Sequence, residues 1–508
     1  MQTPTPSPGV VSLRQLFPQT LLYGGDVTAR GCSSDWRRIR HGDLFVAIVD
    51  EDGDGHEQAR RAVDRGAVAV IAERPLQLAV PVCIVEDTRE ALGLVCQTLA
   101  GYPAHQQITV AVSGTSGKTV TGELIASVLR AAGHRTASLT SLGWHDGLYL
   151  DANGDRVLCP ETLAHTLRQS ADNECSHAVI EVSSAALAQR ATTGVEWDIA
   201  VLTNLRSDHL DLHGNLPNYR RAKARLFAQL TPNGCAVLNA DDRASRDLLA
   251  SVDRPALTFG TQSDAQVSAG LIEQLPSEQT FMLTTGNESI PVRTATTGTP
   301  YLANCLAAAT AGLALGLNLP TIARGLESLT TLPGRLERLE CGQDFSVFVD
   351  SADTPDQLGG TLRALRSIIP GRLICVYGAR STHSRSSRAA LGRVAERFSD
   401  LDIITNDNPG NEPHFQMVHD ILDGYHRPAK ARVMPSRADA ITWALQQARS
   451  GDCVLVTGKG ERRGQYLSDG WHPWDDREYL RTSLYATSTE YQPPTYRRLS
   501  FPAPELLN

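Results

Sequence analysis

A lysine–threonine pair closes a glycine-rich loop between an apolar strand and a segment with helical periodicity. The strand covers residues 108–112, and the loop after it is Ser113-Gly114-Thr115-Ser116-Gly117-Lys118-Thr119. Glycines let backbone N–H groups converge on an anion, and a helix N-terminus adds positive partial charge. We expect Lys118 to contact the β- and γ-phosphates of a nucleotide and the Thr119 hydroxyl to bind Mg²⁺. Val112 replaces the first glycine of the common phosphate-loop pattern, so a simple tight turn is the alternative.

Three later residues could complete a metal site, although each also has a simpler interpretation. Glu181 lies near the end of an apolar strand at 178–182. His209 follows a second apolar strand at 199–202, and Lys223 lies in a helix-like run. Ligands of α/β proteins bind at the carboxyl ends of parallel strands, which favours a shared site. Taken singly, they could be a surface strand end, a hydrogen-bonded imidazole and a solvated helix residue.

Strand-like and helix-like runs alternate along most of the chain, which predicts parallel α/β architecture. The alternation breaks at Gly101-Tyr102-Pro103 and at Leu332-Pro333-Gly334, and a proline-rich polar tail begins after Ser488. A chain of 508 residues is long enough for about three domains. We therefore predict three domains and an extended tail, at 1–104, 105–334, 335–488 and 489–508.

The composition excludes several classes of protein. The net charge of −8 argues against a general binder of nucleic acids or anionic membranes. The longest charge-free apolar run, 303–317, is too short to span a bilayer and predicts a buried helix. The N-terminus lacks the basic and apolar segments of a signal peptide. Ten cysteines without a C-x-x-C pair indicate reduced thiols, so we expect a cytoplasmic protein.

Several motifs occur in the order found in one enzyme family. Between residues 114 and 460 the chain contains GTSGKT, EVSS, TNLRSDHLDLHG, NYRRAKARLF, LNADD, PGRLE, DNP and GKG. This set resembles the Mur ligases, ATP-dependent enzymes that join an amino acid or peptide to a carboxylate, and is most like the tripeptide synthetases of peptidoglycan assembly. The resemblance implies an N-terminal domain that binds a UDP-sugar substrate, a central phosphate-loop ATPase domain and a C-terminal Rossmann-like domain that binds the acceptor amine.

The resemblance also implies roles for individual residues. Nucleotide binding is implied for Gly114, Thr115, Ser116, Gly117, Lys118, Thr119, Asn304, Arg335 and Asp350. The implied Mg²⁺ ligands are Thr119, Glu181, His209 and a carbamylated Lys223, and the implied catalytic set is Lys118, Glu181, His209 and Lys223. Substrate binding is implied for Ser184, Arg190, Asp407, Asn408 and Gly458. The resemblance further implies a monomer that acts on a nucleotide-sugar peptide and an amino acid through an acyl phosphate.

The substrate-binding motifs depart from the family pattern more than the ATP motifs do. Trp36 replaces a small hydroxyl residue near the expected uridine, and Leu158-Cys159 replaces paired threonines. Gly410 replaces an arginine that pairs with the distal carboxylate of the acceptor. Arg462 would repel a distal ammonium unless Glu461 takes over by a one-residue shift. These changes disfavour meso-diaminopimelate as the acceptor and give no support to lysine.

Three other functions remain as alternatives. A ligase that acts on a different carboxylate, such as a poly-glutamyl or specialised peptide ligase, is favoured by Trp36, Leu158 and Gly410. A nucleotide-binding pseudoenzyme is opposed by the joint presence of the four catalytic residues. A phosphate-loop kinase does not explain the resemblance along the whole chain.

Overall fold

The computed structural model describes residues 9–50, 53–152, 158–206 and 213–487. Tertiary contacts divide the chain into two compact units, Met1–Glu337 with Thr354–Ile368, and Arg338–Asp353 with Ile369–Asn508. Strands and helices alternate in both units, so the α/β prediction is confirmed. The domain boundaries at residues 104, 334 and 488 stay predictions. His209 and the tail at 489–508 lie outside the described residues.

A five-stranded sheet forms near the N-terminus of the first unit. Its strand order is Leu21–Tyr23, Val82–Ile84, Ala69–Ala72, Asp43–Val46 and Gly31–Ser33, and the first pairing is antiparallel while the other three are parallel. Side chains of successive strand residues face opposite helices, because Phe45 packs with Ala59 whereas Leu44 packs with Val95. The remaining elements are helices Leu13–Leu16, Gly55–Asp64 and Thr88–Ala100, 3₁₀ turns Trp36–Arg38 and Pro103–Gln106, and strand pairs Val11–Ser12 with Thr28–Ala29 and Val49–Asp50 with Gly53–Asp54.

The larger sheet of the first unit has eleven strands. Their order is Leu150–Asp151, Gly143–His145, Thr136–Thr140, His177–Glu181, Ile108–Ser113, Trp197–Leu202, Leu230–Asn239, Ala256–Gly260, Val267–Gln274, Gln279–Thr285 and Glu288–Thr294. The central pairings are parallel, and antiparallel strands extend the sheet at both ends. The parallel strands end at one edge of the sheet, where α/β proteins place their ligands.

The helices of this unit include Lys118–Ala131, Pro160–Asp172, Ser184–Ala188, Leu216–Ala228, Arg243–Leu249, Thr299–Ala314, Leu319–Ser328 and Pro355–Arg366. Thr299–Ala314 corresponds to the buried helix predicted at 303–317. It packs with Lys118–Ala131 and Leu319–Ser328 over a core of valine, leucine and alanine side chains. A Cβ on Gly325 would overlap the Cα of Val128, so the backbones of two helices approach closely there.

The edge strand Glu288–Thr294 contains a proline, and one of its backbone N–H groups donates a hydrogen bond to a side chain of a neighbouring helix. Pro291 pairs with Met282 of the neighbouring strand and has no N–H. The N–H of Arg293 donates to the Glu327 carboxylate over 3.0 Å. Glu327 belongs to the helix Leu319–Ser328, which packs against this strand.

The second unit is built on a six-stranded sheet. Its order is Glu337–Arg338, Ser346–Asp350, Cys453–Thr457, Leu373–Tyr377, Leu401–Ile404 and Arg432–Val433, and the last five strands are parallel. The other elements are helices Arg385–Phe398, His414–Leu422, Arg437–Gln447 and Asp476–Thr487, the 3₁₀ turn Pro428–Lys430 and the hairpin Gly464–Leu467 with Gly470–Pro473. The loops after Tyr377, Ile404 and Thr457 all leave the carboxyl edge of the sheet.

Two general expectations concern membranes and thiols. Among the described residues, no helix is both long and apolar enough to cross a membrane. All ten cysteines are free, as predicted.

Candidate active site

The glycine-rich loop connects the strand Ile108–Ser113 to the helix Lys118–Ala131, as predicted. Gly117 caps the helix with φ +80°, a backbone conformation that favours glycine. A Cβ there would overlap the side-chain oxygen of Asn304, so only glycine lets these two residues approach. The Lys118 ammonium donates to the carbonyl of Thr115 over 3.2 Å and lies at the helix N-terminus. The loop therefore has the form of a phosphate cradle.

The neighbouring parallel strand holds this loop in place. The N–H of Thr115 donates to the Asn204 carbonyl, and the N–H of Ser116 donates to the Asn204 side-chain oxygen, each over 3.0 Å. The Thr203 hydroxyl donates to the Ser116 carbonyl over 2.6 Å. The residues after the strand Trp197–Leu202 thus fix the backbone of the cradle.

A hydroxyl–carboxylate pair lies beside the cradle. The Thr119 hydroxyl donates to Oε2 of Glu181 over 2.8 Å and lies 2.8 Å from the Ser141 hydroxyl. The Ser141 N–H donates to the same Glu181 oxygen over 3.0 Å, and the Arg335 guanidinium donates to the Ser141 hydroxyl over 2.6 Å. Glu181 lies at the end of its strand, as predicted. The structure thus brings Thr119, Glu181 and Arg335 together around Ser141.

Lys223 is fully buried beneath the cradle. Its side chain extends from the helix Leu216–Ala228 and is 1% exposed. The ammonium donates to the Gly114 carbonyl over 2.7 Å and to the Ser113 hydroxyl over 3.1 Å, and it lies 5.4 Å from the ring centroid of Tyr219. The chain therefore places a lysine nitrogen in direct contact with the loop that would hold phosphate.

Two predicted donor-binding residues lie elsewhere in the first unit. Ser184 is buried at the start of the helix Ser184–Ala188. Arg190 has φ +61° and forms ion pairs with Glu90 at 2.8 Å and with Asp87 at 3.5 Å. These contacts connect Arg190 to the first turn of the helix Thr88–Ala100.

The predicted acceptor residues lie in the second unit within a buried ionic cluster. Asp407 is fully buried, with one oxygen 3.2 Å from Nε of Arg380 and the other 3.3 Å from the Lys459 ammonium. Arg380 also pairs with Asp353 at 2.5 Å and donates to the Gly458 carbonyl. Burial alone would raise the pKa of Asp407, but the surrounding cations, led by Arg380, outweigh it and lower the pKa.

Two other predicted residues of the second unit are placed as follows. The Asn408 side-chain oxygen accepts a hydrogen bond from Lys459 over 2.9 Å. Asp350 ends the strand Ser346–Asp350, is buried, and accepts the N–H of Ser351 over 2.7 Å.

Residues of both units match families of known proteins. Residues 112–312 match the family description "Mur ligase middle domain", and residues 334–460 match "Mur ligase, glutamate ligase domain". A Geobacillus thermodenitrificans protein named UDP-N-acetylmuramoyl-L-alanyl-D-glutamate--2,6-diaminopimelate ligase is 36% identical over 91% of this chain and 96% of its own length. The chain belongs to the Mur ligase family.

Solved structures agree with this assignment. The solved structure of a ligase with the same name superposes with a TM-score of 0.67 at 27% identity, over 94% of this Mur ligase and 99% of that chain. Folylpolyglutamate synthase of Mycobacterium tuberculosis is similar in fold, with a TM-score of 0.59 at 17% identity, over 73% and 92% of the two chains. The predicted family, fold class and ligase class are therefore confirmed.

The residues that depart from the Mur ligase pattern take part in local packing. The partly buried Trp36 ring packs against a buried apolar cluster that includes Phe45 and Ala59, and its centroid lies 5.3 Å from the Arg61 guanidinium. Cys159 caps the helix Pro160–Asp172, and its sulfur lies 3.1 Å from the Thr162 hydroxyl. Gly410 adopts φ +56° and donates its N–H to the Tyr466 carbonyl over 3.2 Å.

Two residues that contact the glycine-rich loop and its neighbours, Ser141 and Asn204, were not among the site residues expected from the sequence. Ser141 contacts both Thr119 and Glu181, and Asn204 fixes two loop amides. Each directly follows a strand of the parallel sheet or lies within two residues of its end. Their position after buried apolar strands is the pattern that could have identified them.

Proposed function

We propose that this Mur ligase uses ATP to join an amino acid to the carboxylate of a UDP-N-acetylmuramoyl peptide, a step of peptidoglycan and hence cell-wall synthesis. The observation that carries the proposal is the contact of Thr119, Ser141 and Glu181 beside the glycine cradle. It joins a phosphate site to a hydroxyl–carboxylate pair at the ends of parallel strands. The name of the Geobacillus relative supports the substrate class.

The chemistry follows from charge and position. A donor carboxylate oxygen attacks the γ-phosphorus of ATP, which forms an acyl phosphate and releases ADP. Lys118 and the N–H groups at the helix N-terminus offset the negative charge that develops on the phosphate oxygens. The neutral acceptor amine then attacks the acyl carbon and loses one proton as the amide forms, and phosphate leaves with the bonding electrons. Lys118, Glu181, His209 and Lys223 form the proposed catalytic set.

The donor set fits Mg²⁺. Thr119 and Glu181 offer a hydroxyl and a carboxylate oxygen 2.8 Å apart, and magnesium prefers oxygen ligands. We propose Thr119, Glu181, His209 and a modified Lys223 as the residues that hold the metal. When bound, Mg²⁺ would neutralise charge on the phosphate oxygens.

Lys223 is proposed to act as its carbamate. Carbon dioxide adds to the neutral amine, which loses one proton and becomes an N-carboxylate with one N–H left. That remaining N–H can still donate to the Gly114 carbonyl, which the ammonium contacts at 2.7 Å. The modification replaces a buried cation by an anion, and an anion suits a metal site.

The remaining roles rest on the family match. We propose that Asn304 and Arg335 bind the nucleotide together with the cradle, and that Asp350 contacts its ribose. Ser184 and Arg190 are proposed for the peptide donor, and Asp407, Asn408 and Gly458 for the acceptor amino acid. We further propose that the enzyme acts as a monomer in the cytoplasm.

The test is a ligation assay read by mass spectrometry. The full chain is given ATP, Mg²⁺, UDP-N-acetylmuramoyl-Ala-Glu and a mixed pool of amino acids and diamines. We expect a product heavier by one amino-acid residue, together with ADP, and Lys118→Met should abolish both. If the full chain forms no ADP and no adduct with any acceptor in the pool, the proposal is refuted.

A second candidate is a ligase that acts on a different carboxylate. Trp36 favours it, because its packed indole stands where the family has a small hydroxyl residue near the uridine. The fold is also shared with folylpolyglutamate synthase. A product with a poly-glutamyl substrate, and none with the UDP-linked peptide, would select this candidate.

A further inference from the structure

Two exposed aromatic side chains lie on one face of the hairpin Gly464–Leu467 with Gly470–Pro473. Tyr466 and Trp471 are directly paired across the two strands, so their side chains project to the same side. They are 58% and 55% exposed, whereas Gln465, which precedes Tyr466, is buried. A Cβ on Gly464 would overlap the Trp471 indole, so the ring lies across that glycine. The hairpin thus presents apolar ring surface to solvent.

Hydrogen bonds fix this hairpin to the loop that contains Asp407, Asn408 and Gly410. The Tyr466 N–H donates to the Asn408 side-chain oxygen over 3.1 Å, and the Tyr466 carbonyl accepts the Gly410 N–H over 3.2 Å. Gln465 donates to the Asp407 carbonyl over 2.8 Å. The aromatic pair is therefore held beside Gly410, where a Cβ would lie 3.3 Å from the Ser381 hydroxyl.

Three acidic side chains of this region are paired with cations of the protein itself. Asp407 contacts Arg380 and Lys459, and Asp353 contacts Arg380. Glu412, two residues after Gly410, accepts two hydrogen bonds from Arg388, at 2.5 and 2.6 Å. A carboxylate that is already paired gains little from a second cation.

Cations also surround the Gly458 carbonyl. Arg380 donates to it, and Arg462 donates to it over 3.3 Å. Burial lowers the pKa of the Arg380 guanidinium, but the charges of Asp353 and Asp407, and to a smaller extent that of Glu461, outweigh it and raise the pKa. An acceptor with a second ammonium would meet repulsion here, whereas the α-carboxylate common to all amino acids would not.

We infer that the acceptor is an amino acid with a single amino group and a large apolar side chain, which packs against Tyr466 and Trp471. The inference rests on the proposed ligase function and names the substrate class of its acceptor site. The aromatic pair supplies the apolar surface, the cations around the Gly458 carbonyl repel a second ammonium, and the paired carboxylates disfavour a basic side chain.

The test compares acceptors in the ligation assay with the full chain. Leucine, phenylalanine, glutamate, lysine and meso-diaminopimelate are supplied one at a time with ATP and the UDP-linked peptide. We expect kcat/KM for leucine or phenylalanine to exceed that for lysine and meso-diaminopimelate by at least about tenfold, since burial of a few methylene groups supplies that much selectivity. Preference for lysine, meso-diaminopimelate or glutamate would overturn the inference and leave the ligase function intact.

Variants of the hairpin test the positions directly. Trp471→Ala should raise KM for the apolar acceptor about tenfold with little change in kcat, because the ring binds the side chain and does not touch the reacting atoms. Gly464→Ala should act in the same direction by displacing the indole, whereas Trp471→Phe should retain most of the affinity. Tyr149→Ala, which removes a still more exposed aromatic of the first unit, is the control and should leave KM unchanged. Unchanged KM in Trp471→Ala would overturn the inference.

A binding measurement decides the inference even without turnover. Saturation-transfer NMR on the full chain, with a non-hydrolysable ATP analogue and the same five amino acids, should show transfer to the side-chain protons of leucine or phenylalanine. Trp471→Ala should remove that transfer. Transfer to lysine alone, or none to any amino acid, would overturn the inference, whereas failure of the proposed function appears separately as absent ADP and absent adduct.

Discussion

Lys223 places a nitrogen 2.7 Å from a carbonyl of the phosphate loop while its side chain is 1% exposed. As an ammonium it would attract phosphate oxygens and repel a metal ion, and as a carbamate it would do the reverse. The two forms of Lys223 therefore differ in the sign of the charge that the side chain carries beside the phosphate loop. It can be tested by replacing the side chain and supplying the lost group from solution.

We expect Lys223→Ala to lower kcat by a factor of about 100 or more, in line with the loss of a group that stabilises transition-state charge. A short carboxylate such as acetate should restore part of this activity, since it can occupy the space of the carbamate. Activity is measured as ADP release across a range of acetate concentrations. Lys223→Arg, which keeps the positive charge and cannot form the carbamate, is the matched control and should not respond to acetate. Full activity of either variant would refute the carbamate.

His177 predicts a pH dependence of stability. Burial and the neighbouring His134 ring, 4.3 Å away, lower the pKa of His177 from 6.5 to about 4. The unfolded chain therefore takes up a proton near pH 6.5 that the folded protein resists, so stability should fall as the pH decreases from 6.5 towards 4. His177→Gln should lose less free energy of unfolding than the wild type between pH 7.5 and 5, measured by urea denaturation. The exposed His105→Gln is the control, and parallel losses in all three proteins would contradict the assignment.

At the scale of elements, the strand that precedes each motif could be predicted from apolar runs. The strand Ile108–Ser113 extends one residue beyond the predicted range 108–112, and His177–Glu181 lies one residue earlier than the predicted range 178–182. Buried parallel strands are continuous apolar runs, which explains this agreement. The antiparallel strands Val267–Gln274 to Glu288–Thr294 were not predicted, although Gly286-Asn287 between alternating runs is typical of a hairpin.

The contact between two helices offers a test of packing at the same scale. A Cβ on Gly325 would overlap the backbone of Val128, so Gly325→Ala should destabilise the protein by about 1–3 kcal/mol. Gly360 also lies inside a helix, yet a Cβ there would meet nothing within 4 Å. Gly360→Ala is therefore the matched control and should stabilise by up to about 1 kcal/mol. Thermal and urea unfolding measure both, and equal effects would show that helix propensity alone decides them.

At the scale of the whole molecule, the order of the motifs predicted the family. This was possible because the motifs of the family follow strands of the eleven-stranded sheet and of the six-stranded sheet. The ionic cluster could not be predicted in the same way. Arg380 and Asp407 are 27 residues apart in sequence, and they meet only because their two strands are adjacent. Likewise, Gly410 indicated from the sequence that the arginine for the distal carboxylate of the acceptor is missing. The position of the aromatic hairpin beside Gly410 could be recognised only in the folded chain.

The border strand Glu288–Thr294 has a consequence for solubility. A strand at the rim of a sheet normally exposes a row of donors and acceptors to which a second molecule can add by β-augmentation. Here Pro291 contributes no donor, and the donor of Arg293, two residues on and on the same side, is already taken by Glu327. A strand added at this edge would therefore find no available N–H donor at these two positions. One pyrrolidine ring and one carboxylate thus disfavour the addition of another strand at this edge of the eleven-stranded sheet.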